Sequence, residues 1–576
     1  MTGSVPEWLP EFLLAATWAP AGAQARERIA EIVARPDFDE QLALAEAERH
    51  KVLLLTDSNL AGPDGPELPS LAQAAREKRA KMAALWQEFD SLLEGLGGHG
   101  LEPVVLKGAA WANSYYPAPR DRAFGDFDLL VPEAALDRYG STLESLGYAQ
   151  ATYDPAEDVV RPLSPERIEG ALTAGRHAAP FIRVGQDSRT LFAVELHGPG
   201  FDHNFLRIDT TCFLDRSSPW KLTAGRAARL DPVDALIYSA ANLWKDVYEV
   251  SPEGSPAAAL LITFCDMRQM FLTRPAPEDW QSLYERAHGV QKCDAVHFAL
   301  VHLDRLFPDV VPKTLLPPPP WLSRDPEAVV DDVWHFLGGS STFRERLFDP
   351  RIDERRFTRL RDSRAAGGRM EIPRGTAQDG TEAGRIVLSG VAEAPPWQFF
   401  RSHVTYGARP RSDREFSATL SLEHSTDDLH VRVAVNDPTQ VFDKLNGFYY
   451  AQDSVQLLFE HPLGSGSVKS FFLVPKAADL PRPAVVRHFA GLDRAGTEPV
   501  AGASISAEFS PDTYRMLARL PKSEILPGLT EDEWFGFDVV VYESGPPGQE
   551  KRSVLQWSGG RNALRNPAYF GRARFH

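Results

Sequence analysis

LKGAAWANSYYPAPRDRAFGDFDLLV, residues 106–131, decides the reading of this chain. An apolar strand, PVVL, runs into Lys107 and Gly108, a helical run AAWANSYY follows, and a turn rich in proline and arginine leads to a second apolar strand, FDLLV. Asp126 and Asp128 stand two apart on that strand. Their side chains therefore leave one face, while Phe127 and Leu129 enter the core. Two carboxylates this close repel each other unless a cation lies between them. Oxygen-only ligation suits Mg²⁺ (or Mn²⁺), which keeps waters and accepts substrate phosphates. Downstream, LFAVELH is a third strand, and its Glu195 can supply a third carboxylate. Three carboxylates can hold a two-metal site, in which one ion activates an attacking oxygen and the other clamps a triphosphate.

Lys107 and Gly108 fall where the first strand turns into a helix. A helix N-terminus with a glycine offers bare N–H groups to phosphate, and Lys107 adds a point charge. Arg120 and Arg122 stand just before the carboxylate strand, where they could reach a triphosphate or a pyrophosphate leaving group. A DxD pair alone is more often a surface edge or a turn ligand. The order LKG, then GDFDLL, then VELH is far more specific.

Working outward, residues 1–96 read as a helical lead-in, with AQAAREKRAKMAALWQEFDSLLEGLGGHG as a long amphipathic helix closed by Gly97 and Gly98. Residues 97–225 alternate strand and helix, an α/β core. Residues 226–361 return to helical spacing, with DALIYSAANLWKDVY, AAALLITFCDMRQMFL and CDAVHFALVHLDRLF each apolar every three or four residues. Residues 362–384 are polar and glycine-rich, a linker. From 385 to 576 the period becomes two, and short alternating strands separated by glycine and proline turns predict a β-sandwich. The fold class is thus multidomain, an α+β domain flanked by helices and then an all-β sandwich.

Composition narrows the function. The chain has 576 residues, more than one core accommodates. Its net charge of −17 argues against non-specific binding to nucleic acid or anionic membrane. Cys212, Cys265 and Cys293 form no CxxC pair, which argues against a disulfide framework and a structural zinc site. No apolar run is long enough to span a bilayer, and the N-terminus lacks the pattern of a signal peptide, so a soluble cytoplasmic protein is expected.

With LKGAA at 106–110, GDFDLLV at 125–131 and VELHG at 194–198, residues 7–345 resemble the nucleotidyltransferase-like proteins of the polymerase-beta superfold, many known only as uncharacterised nucleotidyltransferases. CDMRQMF and EDWQSLYERA resemble further elements of that group. The resemblance implies Asp126, Asp128 and Glu195 as metal ligands and catalytic carboxylates, Lys107 and Gly108 as nucleotide contacts, and an NTP, with ATP expected, as co-substrate. Three positions depart from the pattern: Ala109 follows Gly108 where serine is usual, Gly198 follows His197 where an aromatic is common, and Asn242 stands where relatives carry histidine. Some members occur in gene clusters for modified peptides, so a peptide joins a small molecule or a protein among the acceptors to consider.

Two other features stay open at this level. His197 and His203 flank the third strand either as surface or structural groups or as participants. Asp266, in an otherwise apolar helix, needs a partner and is either a packing anchor or part of the site. Residues 385–576 resemble family 9-like carbohydrate-binding modules through Asp437, Asp453, Ser454, Trp557, Asn566, Pro567 and Gly571. Trp397, Tyr449, Tyr450 and Trp557 could form sugar platforms, and Asp437 and Asp453 could hold Ca²⁺. The favoured reading of the sandwich is a docking scaffold. The leading function is transfer of a nucleoside monophosphate from an NTP to a hydroxyl or similar group. The alternatives are kinase-like phosphotransfer on the same superfold and a non-catalytic binding protein.

Overall fold

Proline at the first helical position, apolar residues every three or four, and a closing pair of glycines make residues 69–98 a helix. The computed structural model has that helix at Pro69–Gly98, burying Leu71, Ala75, Met82, Leu85, Phe89, Leu92, Leu93 and Leu96 along one face. The structure describes residues 5–18, 23–61, 65–154, 159–163, 180–185, 190–198, 211–220, 225–248, 260–290, 292–319, 322, 342–348, 369–374, 384–389, 404–407, 412–442, 452–463, 468–476, 482–491, 494–530, 533–543, 553–557 and 570–576. His203, Trp397, Tyr449, Tyr450, Asn566 and Pro567 lie outside them.

The chain divides into two compact units. The first is Met1–Val247, Ala258–Pro326 and Thr342–Asp349. It opens with α1 (Trp8–Ala16), α2 (Ala23–Val33), α3 (Glu40–Arg49), α4 (Leu53–Leu60) and α5 (Pro69–Gly98). The α/β part follows: β1 (Val104–Leu106), α6 (Lys107–Tyr115), β2 (Asp126–Leu130), α7 (Leu136–Ser145), β3 (Ala149–Asp154), β4 (Val159–Pro162), β5 (Phe181–Val184) and β6 (Leu191–His197). Next come α8 (Thr211–Arg216), β7 (Ser218–Trp220), β8 (Ala227–Arg229), α9 (Pro232–Tyr248), α10 (Leu261–Thr273), α11 (Leu283–Gly289) and α12 (Cys293–Leu306). Among the described residues no helix is long and apolar enough to cross a membrane.

The eight strands form one sheet in the order β4-β3-β5-β6-β2-β1-β8-β7. Strand β2 lies between β1, antiparallel to it, and β6, parallel to it. Its alternation works as the period-two pattern requires. Phe127 turns to the apolar side, where its ring lies 5.4 Å from Phe89 of α5 and 6.0 Å from Phe124. Trp86 closes the same cluster, 5.1 Å from Phe124. The apolar face of the long helix thus seats the back of β2 and leaves the aspartates to the other face.

The second unit is Tyr248–Ala257, Glu327–Ser341 and Pro350–His576. Its strands are β9 (Arg369–Ile372), β10 (Arg385–Ser389), β11 (Val404–Gly407), β12 (Ser417–His424), β13 (Asp428–Asn436), β14 (Ser454–Glu460) and β15 (Val468–Val474). They continue with β16 (Ala484–Gly491), β17 (Arg494–Pro499), β18 (Ser504–Phe509), β19 (Thr513–Pro521), β20 (Phe535–Glu543), β21 (Ser553–Gln556) and β22 (Gly571–Phe575). A five-stranded sheet, β10-β12-β13-β19-β18, faces a nine-stranded one built on β11-β21-β20-β14-β15-β16-β17. Leu420, Val431, Val433, Leu457, Phe471, Val539 and Leu555 fill the space between the two sheets. This is the β-sandwich expected from the period of two.

One element falls inside the stretch read as linker, 362–384. Strand β9 pairs in parallel with β22, with Ile372 opposite Phe575, and both Met370 and Ile372 enter the sandwich core. Four residues of alternation in a polar, glycine-rich setting are too short to stand out, and only the pairing with the chain's last strand gives them a place. A fragment 385–576 should therefore unfold at lower temperature than 369–576. Loss of two buried aliphatic side chains is worth about 3–5 kcal/mol, and thermal melts followed by circular dichroism would show equal midpoints if β9 contributes nothing.

Candidate active site

The site is built by strand register. In the parallel pair, Asp126 lies opposite Ala193, Asp128 opposite Glu195 and Leu130 opposite His197. Side chains at opposed positions of a parallel pair share a face, and the period of two then gathers Asp126, Asp128, Glu195 and His197 on one side. One ligand atom each from Asp128, Glu195 and His197 lies within 4.8 Å of the others. Asp126 begins the strand and is exposed at its mouth.

On the other flank β1 ends at Leu106, opposite Asp128, and the chain enters α6. Lys107 takes a left-handed backbone, φ 45°, and Gly108 follows at φ 23°. A side chain on Gly108 would meet Phe124 Cβ at 3.1 Å, so glycine is required there both by conformation and by space. A lysine in that region is strained, and such strain gathers at functional sites. The turn delivers Lys107 Nζ to 3.4 Å from Asp128 Oδ1 and 5.7 Å from the ring centre of Tyr238 on α9.

The charges divide the carboxylates into two kinds. Burial works to raise the pKa of Asp128, but Lys107 and His197 outweigh it and hold the group well below the usual carboxylate range. Glu195 is pushed up, by burial first and by the Asp128 charge second. Asp126 reaches solvent at the mouth, yet the protein around it desolvates it enough, with the charge of Asp128, to raise its pKa as well. Burial opposes the charge on Lys107, but Asp128, Tyr238, Asp126 and Glu195 together raise its pKa, so it stays protonated. One ammonium thus faces three carboxylates. The donor set is oxygen-rich, crowded and short of positive charge, which fits a divalent cation.

The two arginines part company. Arg120 is exposed on the turn Pro119–Asp121. Arg122 is 8% exposed and bonded to Asp266 of α10, Nε to Oδ1 at 3.1 Å and Nη2 to Oδ2 at 2.6 Å, while its Nη1 donates to the Ala123 carbonyl at 2.8 Å. Tyr116 donates to the same carboxylate at 2.7 Å. Asp266 is therefore a packing anchor, and Arg122 ties the residues before β2 to α10 instead of turning its donors toward the carboxylates. Proximity in the chain puts Arg122 next to the carboxylate strand, but its partner lies 144 residues away and is met only through the fold.

Two contributors went unassigned at the sequence level. Tyr238 caps Lys107, and only the helical offset from Asp234 marks its face: Asp234 is fully buried and gripped by Arg216 at 2.7 and 2.9 Å. His197, left open, donates to Asp128 at 2.8 Å, and its spacing of two from Glu195 on a strand already placed it on the carboxylate face.

Residues 36–308 match the model of the family described as uncharacterised nucleotidyltransferase. The matched stretch holds every residue of the site. No curated protein matches the chain. Among solved structures, a carbohydrate binding module family 9 from Caldicellulosiruptor kristjanssonii in complex with cellotriose is similar at 16% identity, over 36% of this chain and 93% of that one, with a TM-score of 0.24. An antigenic nucleotidyltransferase-like protein from Paracoccidioides brasiliensis is similar at 14% identity, over 41% of this chain and 92% of that one, with a TM-score of 0.24. At these scores the sandwich rests on its own strand pairings.

In the second unit Trp557 is 8% exposed and packs 5.8 Å from Phe537, in the core and not on a platform. Asp437 and Asp453 are fully buried and accept backbone N–H groups of Thr439 and Val441.

The opposite pKa shifts predict opposite effects on stability. A carboxyl whose pKa is raised by folding stabilises the fold only while protonated, and that contribution is lost as pH rises through the raised value; one whose pKa is lowered stabilises at neutral pH. In protein stripped of divalent cations, E195Q should melt higher than wild type at neutral pH and flatten the loss of stability on going from acid to neutral. D128N should melt lower, with folding free energy reduced by about 3 kcal/mol, the scale for removing one partner of a buried ion pair. Equal shifts of the same sign would contradict this charge distribution.

Proposed function

We propose that the chain transfers a nucleoside monophosphate from an NTP, with ATP as the expected donor, to a hydroxyl or similar group on a small molecule, a peptide or a protein. The observation that carries this reading is the register of β2 and β6, which brings Glu195 beside Asp128 on the face that also holds Asp126. Asp126, Asp128 and Glu195 would hold Mg²⁺ or Mn²⁺. Bound there, the cation supplies neutralisation of the triphosphate and of the charge developing in transfer.

The remaining work falls to the chain's own groups. The N-terminus of α6, with Gly108, presents N–H groups to phosphate, and Lys107 adds its ammonium once a cation shares Asp128. Arg120, exposed on the turn before β2, binds the departing pyrophosphate. The acceptor oxygen forms a bond to the α-phosphorus as the bond from that phosphorus to the β-phosphate oxygen breaks. Glu195 takes the acceptor's proton. The β-sandwich is read as a docking scaffold, supported by the core position of Trp557.

Incubation with Mg²⁺, cell extract and ATP labelled on either the α- or the γ-phosphate tests this directly. Label should pass to an acceptor from the α-position only. Transfer from the γ-position would establish the kinase-like alternative, and no transfer from either would leave a binding protein. E195Q should lower turnover about 100-fold, the usual scale for losing general-base help, with NTP binding near wild type. Unchanged turnover in E195Q would remove Glu195 from the chemistry.

A further inference from the structure

One buried group beside the carboxylates has no part in the transfer described above. His197 lies two residues further along the strand pair than Glu195, opposite Leu130, and its side chain is 1% exposed. Its Nε2 is 2.8 Å from Asp128 Oδ1 and 3.8 Å from Glu195 Oε2, a hydrogen bond to the first and too long for one to the second. Lys107 Nζ approaches the same Oδ1 at 3.4 Å. Both nitrogens converge on one oxygen of Asp128, and among the described residues no protein hydrogen bond reaches Oδ2.

We propose that His197 is a positioning residue for nucleotidyl transfer: with Lys107 it pins Asp128 by one oxygen and so presents the other to the cation. The inference rests on the function proposed above. A carboxylate whose rotation is already fixed loses less freedom on entering a coordination sphere, and outer-shell partners of this kind change metal affinity about 10–100-fold. The imidazole is too buried to meet nucleotide or acceptor, so it acts through Asp128.

The rival role is direct ligation by Nε2, which belongs to the same close group of atoms. Chemistry favours the donor role. An ionised carboxylate only accepts hydrogen bonds, so the proton of the 2.8 Å contact sits on Nε2. A nitrogen that carries that proton has no lone pair for an ion.

The test is Mn²⁺ titration of the full-length protein, followed by the loss of the free-ion electron paramagnetic resonance signal, for wild type, H197A and H197Q. Thermal melts establish that each variant is folded. H197A should bind Mn²⁺ about 10–100-fold more weakly, and H197Q, whose amide can still donate to Asp128, should recover most of that loss. Electron spin-echo envelope modulation of wild type with Mn²⁺ should show no directly coordinated nitrogen. Unchanged affinity in folded H197A, a glutamine variant as weak as alanine, a directly bonded imidazole nitrogen, or a wild type that binds no Mn²⁺ would each overturn the proposal. If H197A fails to fold, the glutamine variant and the spin-echo measurement still decide. A wild type that binds Mn²⁺ with the expected dependence on His197 but transfers no nucleotide would overturn the proposed function alone.

Discussion

A carboxylate at the middle of a sheet, 3% exposed, must find positive charge and hydrogen bonds or lose its ionisation. Asp128 finds both, and most of the first unit is arranged so that it can. Lys107 comes from the end of β1 and His197 from the end of β6, the two strands that flank β2. Strand register and charge balance are therefore one constraint. A slip of one residue in either pairing would turn the partner to the opposite face, leaving a buried charge alone.

Further layers hold that arrangement still. Behind the sheet, Phe89, Trp86, Phe124 and Phe127 form an aromatic cluster that sets the depth of β2 against α5. Ahead of it, Arg122 and Tyr116 lock the approach to the strand onto Asp266 of α10. The turn between them is anchored from the helical lead-in, where Ser58 of α4 donates to Asp121 at 2.6 Å. Above it, Arg216 fixes the start of α9 at Asp234, and one helical turn later Tyr238 lies over Lys107. The left-handed backbone at Lys107 persists because these neighbours over-determine it. The same packing leaves Asp126 and Glu195 charged at a cost, a debt that a bound cation would relieve.

Much of this was legible in order of residues. Two aspartates at spacing two before an apolar strand, a lysine and glycine at a strand-to-helix junction, and a glutamate on a later strand are local signals, and each fell on the element expected. The change of period near residue 385 marked the sandwich for the same reason: alternation is a property of neighbours in sequence. Strand β9 escaped because four residues carry little periodicity and its partner lies at the other end of the unit.

Sequence alone determined which side chains share a face, because helical and strand periods are set by the backbone, and it determined that three carboxylates would need a cation if they met. Whether they met was a tertiary matter. Parallel pairing of β2 with β6 is specified by burial across the whole sheet, not by the residues between the strands, and it placed Glu195 and His197 beside Asp128. The fate of each charge was decided in the same way. Arg122 found Asp266 and became a tie, while Lys107 found Asp128 and stayed in the site, because the energy of a buried charge depends on the partner that folding brings within a few ångströms.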